Sequence, residues 1–281
     1  MNVLQAGQPI DSRLSSPLRA ACRLTAYLFV TVAILPIQIL AVLTSKKLKQ
    51  YIPMFYHKVC AAIFGVNIRV HGNFTPKSPI LYVSNHVSYM DITILGSLLD
   101  ASFIAKAEVS KWPLFGQLAK LSRTIFIHRR SSRVTEQRDH INKRLAEGDN
   151  LILFPEGTSA DGLHVLPFKS ALFSVAEGRE DIEGLVIQPV SISYTHLDGI
   201  PVSRCLLPHF AWYGKMTIVS HLFTFLGLGR VTIDVKFHDP VLSGQFDDRK
   251  EMAQYCRRVV SAGASRSNYV RKSTHPSGFY E

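Results

Sequence analysis

An uncharged apolar segment near the amino terminus constrains the fold of this chain more than any other feature. No charged residue occurs from Leu24 to Ser45. As a helix this segment would extend about 33 Å, which is roughly the thickness of the hydrocarbon core of a bilayer. Pro36 lies in its middle and is expected to kink such a helix. The segment therefore favours contact with a membrane.

Basic residues lie on both sides of this segment: Arg13, Arg19 and Arg23 before it, and Lys46, Lys47 and Lys49 after it. Charges on both flanks give a single span no preferred orientation. A second, weaker apolar stretch follows from Tyr51 to Phe64. We therefore expect two helices that enter one leaflet and return, a monotopic arrangement on the cytoplasmic face of the inner membrane. One conventional span and a buried helix of a soluble protein are the alternatives.

The overall charge favours an acidic partner. The 281 residues include 32 Lys and Arg against 21 Asp and Glu, a net charge of +11. Such an excess fits an anionic membrane surface, an acidic protein or a nucleic acid. The mean hydropathy of +0.11 favours the membrane surface, and no RNA- or DNA-binding module is recognisable. The sequence therefore predicts membrane lipids as partners and no nucleic acid.

The cysteines and histidines do not indicate a metal site. Cys22, Cys60, Cys205 and Cys256 are far apart, and no cluster has zinc spacing. The 11 histidines are scattered. The cysteines are expected to be reduced thiols facing the cytosol.

Beyond Gly65, short β-rich runs alternate with longer helical segments, which is typical of α/β folds. The predicted strands are Asn67–His71, Ile80–Ser84, Ser102–Ala105, Thr124–His128, Asn150–Phe154, Leu185–Tyr194 and Val231–Phe237. The predicted helices are Tyr89–Leu99, Trp112–Leu121, Arg133–Glu147, Lys169–Glu177 and Asp248–Ser261. We expect a mixed, mainly parallel sheet flanked by helices. The predicted organisation is a membrane anchor at 1–66, an α/β domain at 67–261 and a flexible tail at 262–281.

A histidine and an aspartate follow the strand that ends at Ser84. His86 is placed to act as a general base on a hydroxyl, which is almost fully protonated at neutral pH. A carboxylate five residues on, Asp91, can orient the imidazole if His86 lies in the turn and Asp91 in the first turn of the helix. The alternative is structural, because Ser88 and Asp91 have the spacing of a helix capping box.

A second candidate is the sequence from Phe154 to Thr158, which reads FPEGT. It follows a predicted strand, and ligands of open α/β sheets bind at the carboxyl ends of strands. Glu156 could hold substrate hydroxyls, and free amides near Gly157 could face an oxyanion. An ordinary strand-to-loop turn is the alternative.

A third candidate is a group of cations. Arg123 and Arg129 flank the strand Thr124–His128, and Lys106 ends another strand. Arginine at a strand end suits an anionic substrate. A solvated basic face is the simpler interpretation.

Taken in order, these motifs resemble a known family. NHVSYMD at 85–91 resembles the NHxxxxD block of the glycerolipid acyltransferases, the family of the bacterial 1-acylglycerol-3-phosphate acyltransferases. FIHR at 126–129 resembles their GxxFIxR block, FPEGT at 154–158 their third block, and QPV at 188–190 their fourth.

The resemblance implies that His86 is the general base and that Asp91 orients it. The acceptor hydroxyl of a lysolipid would attack an acyl thioester directly. Arg129, Glu156, Gly157 and Thr158 would position the acceptor, with Lys106 near its head group. Acyl-CoA or acyl carrier protein would be the donor, and no cofactor is implied.

Two departures from the family pattern concern the acceptor. Arg123 occupies the glycine position of the second block, and Ser159 follows FPEGT where many phosphatidate-forming members carry an arginine. We expect 1-acylglycerol-3-phosphate as the acceptor, with Arg123 compensating for the missing arginine. Lyso-ornithine lipid, which has a zwitterionic head group, is the alternative. A catalytically silent lipid-binding membrane protein is a further alternative.

Overall fold

The chain folds around one twisted sheet with helices on both faces. A computed structural model describes residues 14–44, 48–75, 79–128, 134–176 and 185–273. The helices are α1 (Pro17–Thr44), α2 (Leu48–Ile63), α3 (Met90–Leu98), α4 (Phe115–Leu121), α5 (Val134–Ala146), α6 (Ile218–Gly227) and α7 (Arg249–Ser273). The strands are β1 (Val66–His71), β2 (Ile80–Ser84), β3 (Ser102–Lys106), β4 (Ile125–Ile127), β5 (Leu151–Leu153), β6 (Val186–Leu197), β7 (Ile200–Pro201), β8 (Val231–Phe237) and β9 (Val241–Leu242).

The sheet is mixed and mainly parallel. Its strand order is β1-β8-β6-β2-β5-β3-β4. The strands from β6 to β4 in this order run parallel to one another, whereas β8 runs antiparallel to β6. The short strands β7 and β9 also pair antiparallel with β6. This arrangement confirms the fold class expected from the sequence.

Two hydrophobic cores form because successive side chains of a strand point to opposite faces. In β2, Ile80 and Tyr82 pack with α1, α2, α3 and α6 in one core. Leu81 and Val83 pack with α5 and α7 in the other. A strand buried on both faces reads as a continuous apolar run, which is why ILYV in β2 shows no polar alternation. The buried strand brings its carboxyl end, and the residues that follow it, into the middle of the fold.

Helix α1 is attached to the domain along its whole length. Pro17 occupies its first position, and the Ser16 hydroxyl accepts the backbone N–H of Arg19 at 3.3 Å. The Arg23 guanidinium donates to the carbonyl of Leu228 at 2.7 Å, just past the end of α6. Near the other end, the Gln38 amide donates to the carbonyl of Leu121 at 2.8 Å. Helix α1 therefore packs as part of the domain.

The structure differs from the sequence prediction in several elements. Helix α1 continues through Pro36. The segment predicted as the helix Lys169–Glu177 forms a 3₁₀ helix at Ser170–Ala176. Helix α7 continues to Ser273, so residues 262–273 are helical, whereas a tail was expected from 262. Residues 274–281 lie outside the described residues.

Candidate active site

The residues of the two sequence motifs meet at the carboxyl end of the sheet. His86 follows β2 and Glu156 follows β5, and these two strands are neighbours in the sheet. The Asn85 side chain fixes the start of the first loop, because it donates to the carbonyl of Ile192 at 3.0 Å and accepts the backbone N–H of Ile192 at 2.8 Å. The site thus lies where ligands bind in open α/β sheets.

His86 and Asp91 form a hydrogen-bonded pair. The His86 Nδ1 and Asp91 Oδ2 atoms are 2.8 Å apart. His86 lies in the loop before α3, and Asp91 lies in the first turn of that helix. The Asp91 side chain is fully buried, whereas 18% of the His86 side chain is exposed. Among the described residues, His86 Nε2 has no hydrogen-bond partner, so this atom faces the site.

The Asp91 carboxylate also shapes the loop around the histidine. Its Oδ2 accepts the backbone N–H groups of Val87 at 2.6 Å and Ser88 at 2.9 Å. The helix begins after Tyr89 with no side-chain cap, so the Ser88 hydroxyl does not cap it. Of the alternative capping box, only the bond from the Ser88 backbone N–H to Asp91 forms. The imidazole of His86 and two backbone N–H groups thus hold Oδ2 in one orientation. Asp91 is therefore able to orient the imidazole and to stabilise its charged form.

Tyr194 on β6 completes the surroundings of Asp91. Its hydroxyl donates to Asp91 Oδ1 at 2.9 Å, and burial raises the pKa of Tyr194 well above the usual tyrosine value. Tyr194 therefore remains a neutral donor. The motifs gave no signal for this contact, because the two residues are 103 positions apart.

Glu156 holds the backbone of the catalytic loop. Its Oε1 accepts the N–H of His86 at 2.7 Å and its Oε2 accepts the N–H of Leu166 at 2.8 Å. Only 2% of Glu156 is exposed. Burial raises the pKa of Glu156 to about 7, although the two backbone amides act in the opposite direction. The Glu156 carboxylate thus holds two backbone amides, one of them that of His86, and its expected contact with the acceptor stays a prediction.

Gly157 and Thr158 follow in the same loop. The Gly157 N–H donates to the carbonyl of Phe154 at 3.1 Å. Because this amide is bonded within the turn, it is not the free oxyanion donor that the sequence led us to expect. Thr158 is exposed beside it.

Ser159, the residue after FPEGT, faces inward. It is 8% exposed, and its hydroxyl donates to the carbonyl of Trp212. The side chain at this position therefore connects two loops.

The structure does not bring together the two predicted cations that it describes. Arg123 precedes β4 and pairs with Asp149, with Nη2 and Oδ2 2.5 Å apart, at the opposite end of the sheet from His86. Its expected role in acceptor binding is therefore wrong. Lys106 ends β3 on the side of the site, but β5 separates β3 from β2, a distance of about 10 Å. Arg129 lies outside the described residues.

A stack of aromatic rings connects His86 with an apolar groove. The Phe154 ring stacks on the His86 ring with centroids 4.3 Å apart, and Phe103 stacks on Phe154 with centroids 6.2 Å apart. Phe103 also lines the groove, together with Tyr89 and Met90 beside the pair. The rest of the groove is built from α1, α2, α4 and α6. This shape suits a hydrocarbon chain that ends near His86.

Tyr89 connects this groove to α6. Its hydroxyl lies 2.9 Å from His221 Nδ1, and His221 Nε2 lies 3.2 Å from the carbonyl of Pro208. Burial lowers the pKa of His221 to about 4, so the ring is neutral at neutral pH. Nε2 therefore carries the proton and donates to Pro208, while Tyr89 donates to Nδ1. Sequence analysis missed α6 and this contact.

Two features of the described residues concern metals and membranes. No group of three His, Cys, Asp or Glu side chains in that part of the chain is arranged to hold a metal ion. The same part of the chain contains one helix, α1, that is long and apolar enough to cross a membrane.

Comparison with known proteins agrees with this geometry. A family model described as Acyltransferase matches residues 67–193. The lyso-ornithine lipid O-acyltransferase of Rhizobium meliloti is 37% identical over 249 residues, which cover 85% of this chain and 85% of that protein. The enzyme of the same name from Brucella abortus is 38% identical over 241 residues, 84% of this chain and 90% of that protein.

A second group of relatives is named for a different activity. The 1-acyl-sn-glycerol-3-phosphate acyltransferase of Neisseria gonorrhoeae is 31% identical over 251 residues, 87% of this chain and 92% of that protein. The crystal structure of the 1-acyl-sn-glycerophosphate acyltransferase of Thermotoga maritima superposes with a TM-score of 0.66 at 20% identity, over 94% of this chain and 99% of that one. This last likeness shows the fold alone. The family match and the relatives above 30% identity show that the chain belongs to the acyltransferase family and is an acyltransferase of lipid biosynthesis associated with membranes.

Proposed function

We propose that the protein transfers a fatty acyl group from a thioester to the free hydroxyl of lyso-ornithine lipid. The observation that carries the reaction type is the His86–Asp91 pair, whose outer nitrogen has no partner among the described residues. The site opens beside a groove lined by apolar side chains. A lipid hydroxyl and an acyl thioester are the reactants that such a base and such a groove accommodate.

The geometry supports a single-displacement mechanism. Asp91 Oδ2 accepts the Nδ1 proton of His86, which leaves Nε2 as the basic nitrogen. Nε2 takes the proton of the acceptor hydroxyl while the oxygen attacks the thioester carbonyl. The new C–O bond forms, the C–S bond breaks, and the departing thiolate takes the proton from Nε2. The buried Asp91 stabilises the imidazolium between these two steps.

The donor is acyl-CoA or acyl carrier protein. Both carry acidic groups, and the net charge of +11 gives the chain a complementary field. This complementarity fits either donor equally well. Arg129, Gly157, Thr158 and Lys106 remain proposed contacts of the acceptor or donor.

The choice of acceptor has two supports. The relatives at 37% and 38% identity are named lyso-ornithine lipid O-acyltransferases, and the relative at 31% is named a 1-acyl-sn-glycerol-3-phosphate acyltransferase. The side chain after FPEGT is a serine bonded to Trp212, so it offers no charge to a phosphate. The acceptor expected first from the sequence, 1-acylglycerol-3-phosphate, therefore becomes the second candidate.

A two-acceptor assay tests this function. Purified protein in detergent receives a labelled acyl donor with lyso-ornithine lipid in one reaction and lysophosphatidate in another, and His86→Ala serves as the inactive control. We expect product with lyso-ornithine lipid at a higher kcat/KM. Product with lysophosphatidate alone would contradict the proposed acceptor. No product in either reaction from folded protein would favour another lysolipid or a silent lipid-binding role.

We also propose that the protein is monotopic on the cytoplasmic face of the membrane. The buried stripe of α1 packs on the domain, while Phe29, Val32 and Leu43 on its outer face are 74%, 70% and 78% exposed. A helix bound to the domain along its length lies with that domain at the surface of a leaflet. Helix α6 packs beside α1 and exposes Phe223 at 40%.

Vesicle sedimentation tests this arrangement with a matched pair of variants. Phe223→Lys should weaken binding to vesicles that contain anionic lipid. Leu242→Lys is the control, because Leu242 has nearly the same exposure, 41%, but lies on β9. Equal binding of both variants would remove α6 from the membrane face.

A further inference from the structure

A lysine ammonium lies directly on the FPEGT loop. The backbone N–H of Lys169 donates to the carbonyl of Pro155 at 2.9 Å, which joins the two ends of the segment 155–169. A methyl group added at Gly157 would lie 2.7 Å from Lys169 Nζ. Gly157 also has a φ of +68°, which other residues rarely adopt. The glycine therefore makes room for the ammonium.

This ammonium has no partner in the part of the chain that the structure describes. Lys169 is exposed and takes part in no ion pair or side-chain hydrogen bond there. Arg123, in contrast, is held by Asp149. The neighbour of Gly157 in the chain is Glu156, which binds the backbone of His86. Lys169 thus presents an unpaired positive charge close to the catalytic histidine.

A negative charge lies on the same segment. The backbone N–H of Ala160 donates to the carbonyl of His86 at 2.8 Å, so the chain passes beside the histidine. The next residue, Asp161, is 36% exposed at its side chain and lies 3.0 Å from His164 Nδ1 through Oδ2. Burial alone would raise the pKa of Asp161, but hydrogen bonds from His164 and Leu163 hold it below the usual value. The carboxylate is ionised at neutral pH.

The packing of Gly162 keeps this part of the segment against the loop that carries His86. A methyl group added at Gly162 would lie 3.3 Å from Val87, the residue after His86. The segment 155–169, which contacts the loop that carries the base, therefore bears one positive and one negative group. A phosphate monoester would be attracted by the first and repelled by the second. A zwitterion can pair its carboxylate with the lysine and its ammonium with the aspartate.

We propose that Lys169 and Asp161 form the head-group subsite of this enzyme, with Lys169 binding the carboxylate and Asp161 the ammonium of an amino-acid head group. The inference rests on the proposed function and gives it a physical basis in the chain. Ser159 adds no charge to this loop, and its hydroxyl is bonded to the Trp212 carbonyl. The lipid hydroxyl would then reach His86 Nε2 while the head group is held by the loop.

Steady-state kinetics of the full chain in detergent test the subsite. The acceptors are lyso-ornithine lipid and lysophosphatidate, and the variants are Lys169→Met, Lys169→Arg and Asp161→Asn. Lys250→Met is the control, because Lys250 is exposed in the first turn of α7, outside the segment 155–169. We expect Lys169→Met to raise the KM for lyso-ornithine lipid about tenfold, the effect of losing one charge-assisted hydrogen bond, with kcat unchanged. Lys169→Arg should restore much of this loss.

Asp161→Asn should shift the ratio of kcat/KM values towards lysophosphatidate, because it removes a repulsive charge. An unchanged KM in Lys169→Met, or an unchanged acceptor ratio in Asp161→Asn, would overturn the subsite. The proposed function would still stand if the wild-type protein acylates lyso-ornithine lipid. Wild-type protein that acylates lysophosphatidate alone would overturn both.

Discussion

The two ends of the parallel strands carry ionic clusters of opposite kinds. At the carboxyl end, Asp91 binds one nitrogen of His86 and leaves the other without a partner among the described residues. At the amino end, Asp149 accepts from Arg123, Arg144 and Gln50. The first cluster keeps a reactive atom available, whereas the second satisfies its charges internally. An ionic cluster in this fold is therefore catalytic or structural according to what it leaves unpaired.

The largest effect should come from His86. We expect His86→Ala to lower turnover by about 10²- to 10⁴-fold, since a positioned general base contributes that much. The melting temperature should stay the same, because Asp91 keeps its bonds to Val87, Ser88 and Tyr194. Turnover and thermal unfolding of the purified variant measure both quantities.

His128→Ala is the matched control, because His128 is exposed after β4. Near-normal turnover in His86→Ala would end the general-base assignment. A large fall in melting temperature would place His86 with the structural cluster instead.

At the amino end of the strands, we expect a loss of stability without a loss of turnover. Asp149→Asn should lower the free energy of unfolding by about 3 kcal/mol, the low end of the cost of breaking a buried pair, because both arginines keep some contact with solvent. Turnover per folded molecule should not change. Denaturant unfolding against Asp239→Asn, an exposed aspartate, gives the comparison.

The same variant has a predictable pH dependence. Burial alone would raise the pKa of Asp149, but the hydrogen bonds and charges of Arg144 and Arg123 hold it below the ordinary value of 3.8. A lowered pKa stabilises the fold above that ordinary value, and the stabilisation is lost as the pH falls below it. The difference between wild type and variant should therefore shrink under acid conditions. A constant difference would show that packing, not charge, is responsible.

The sequence predicted the first cluster and misjudged the second for physical reasons. His86 and Asp91 are five residues apart, so a turn and one helical turn suffice to join them. The role of Arg123 depended on which end of a strand it occupies, and Arg123 precedes β4. Its partner Asp149 is 26 residues away on another segment. Tyr194 shows the same limit, because only the assembled sheet brings β6 beside the loop.

The missed helix α6 has a different cause. Its sequence, IVSHLFTFLG, is a short apolar run with no side-chain cap. Such a run is compatible with a buried strand or a helix. The choice is made by packing against α1 and by the contact of His221 with Tyr89.

Asp91→Asn separates the charge of the catalytic cluster from its hydrogen bonds. The amide nitrogen of the substituted side chain can face Tyr194, whose hydroxyl can also accept, so the remaining oxygen keeps the contacts of Oδ2. Only the stabilisation of the imidazolium is lost, and turnover should fall about 10- to 100-fold. The melting temperature should change little. If stability falls and turnover per folded molecule is normal, Asp91 stabilises the fold of the loop and has no role in catalysis.

Glu156 combines features of the two clusters. It is buried and bonds only to backbone, as a structural residue does, but one of its bonds is to the loop that carries His86. Its ionised form accepts the amides of His86 and Leu166, and burial raises its pKa to about 7. Activity should therefore rise as the pH increases through about 7. Glu156→Gln places an amide group where an acceptor is needed, so this variant should lack that rise and should be about tenfold slower above it. Glu147→Gln, at an exposed position just past the end of α5, is the control.

Stability should change in the opposite direction over the same range. Because the pKa of Glu156 in the fold lies above its ordinary value of 4.5, ionisation costs more in the folded than in the unfolded chain. The contribution of Glu156 to the free energy of unfolding is therefore fully present below that ordinary value and is lost as the pH rises to about 7. Wild type should lose stability relative to Glu156→Gln across this interval while it gains activity. If rate and unfolding free energy rose together with pH, ionisation of Glu156 would not be what couples activity to stability. If one rises while the other falls, the ionised Glu156 holds the loop in its catalytic form at a cost in stability.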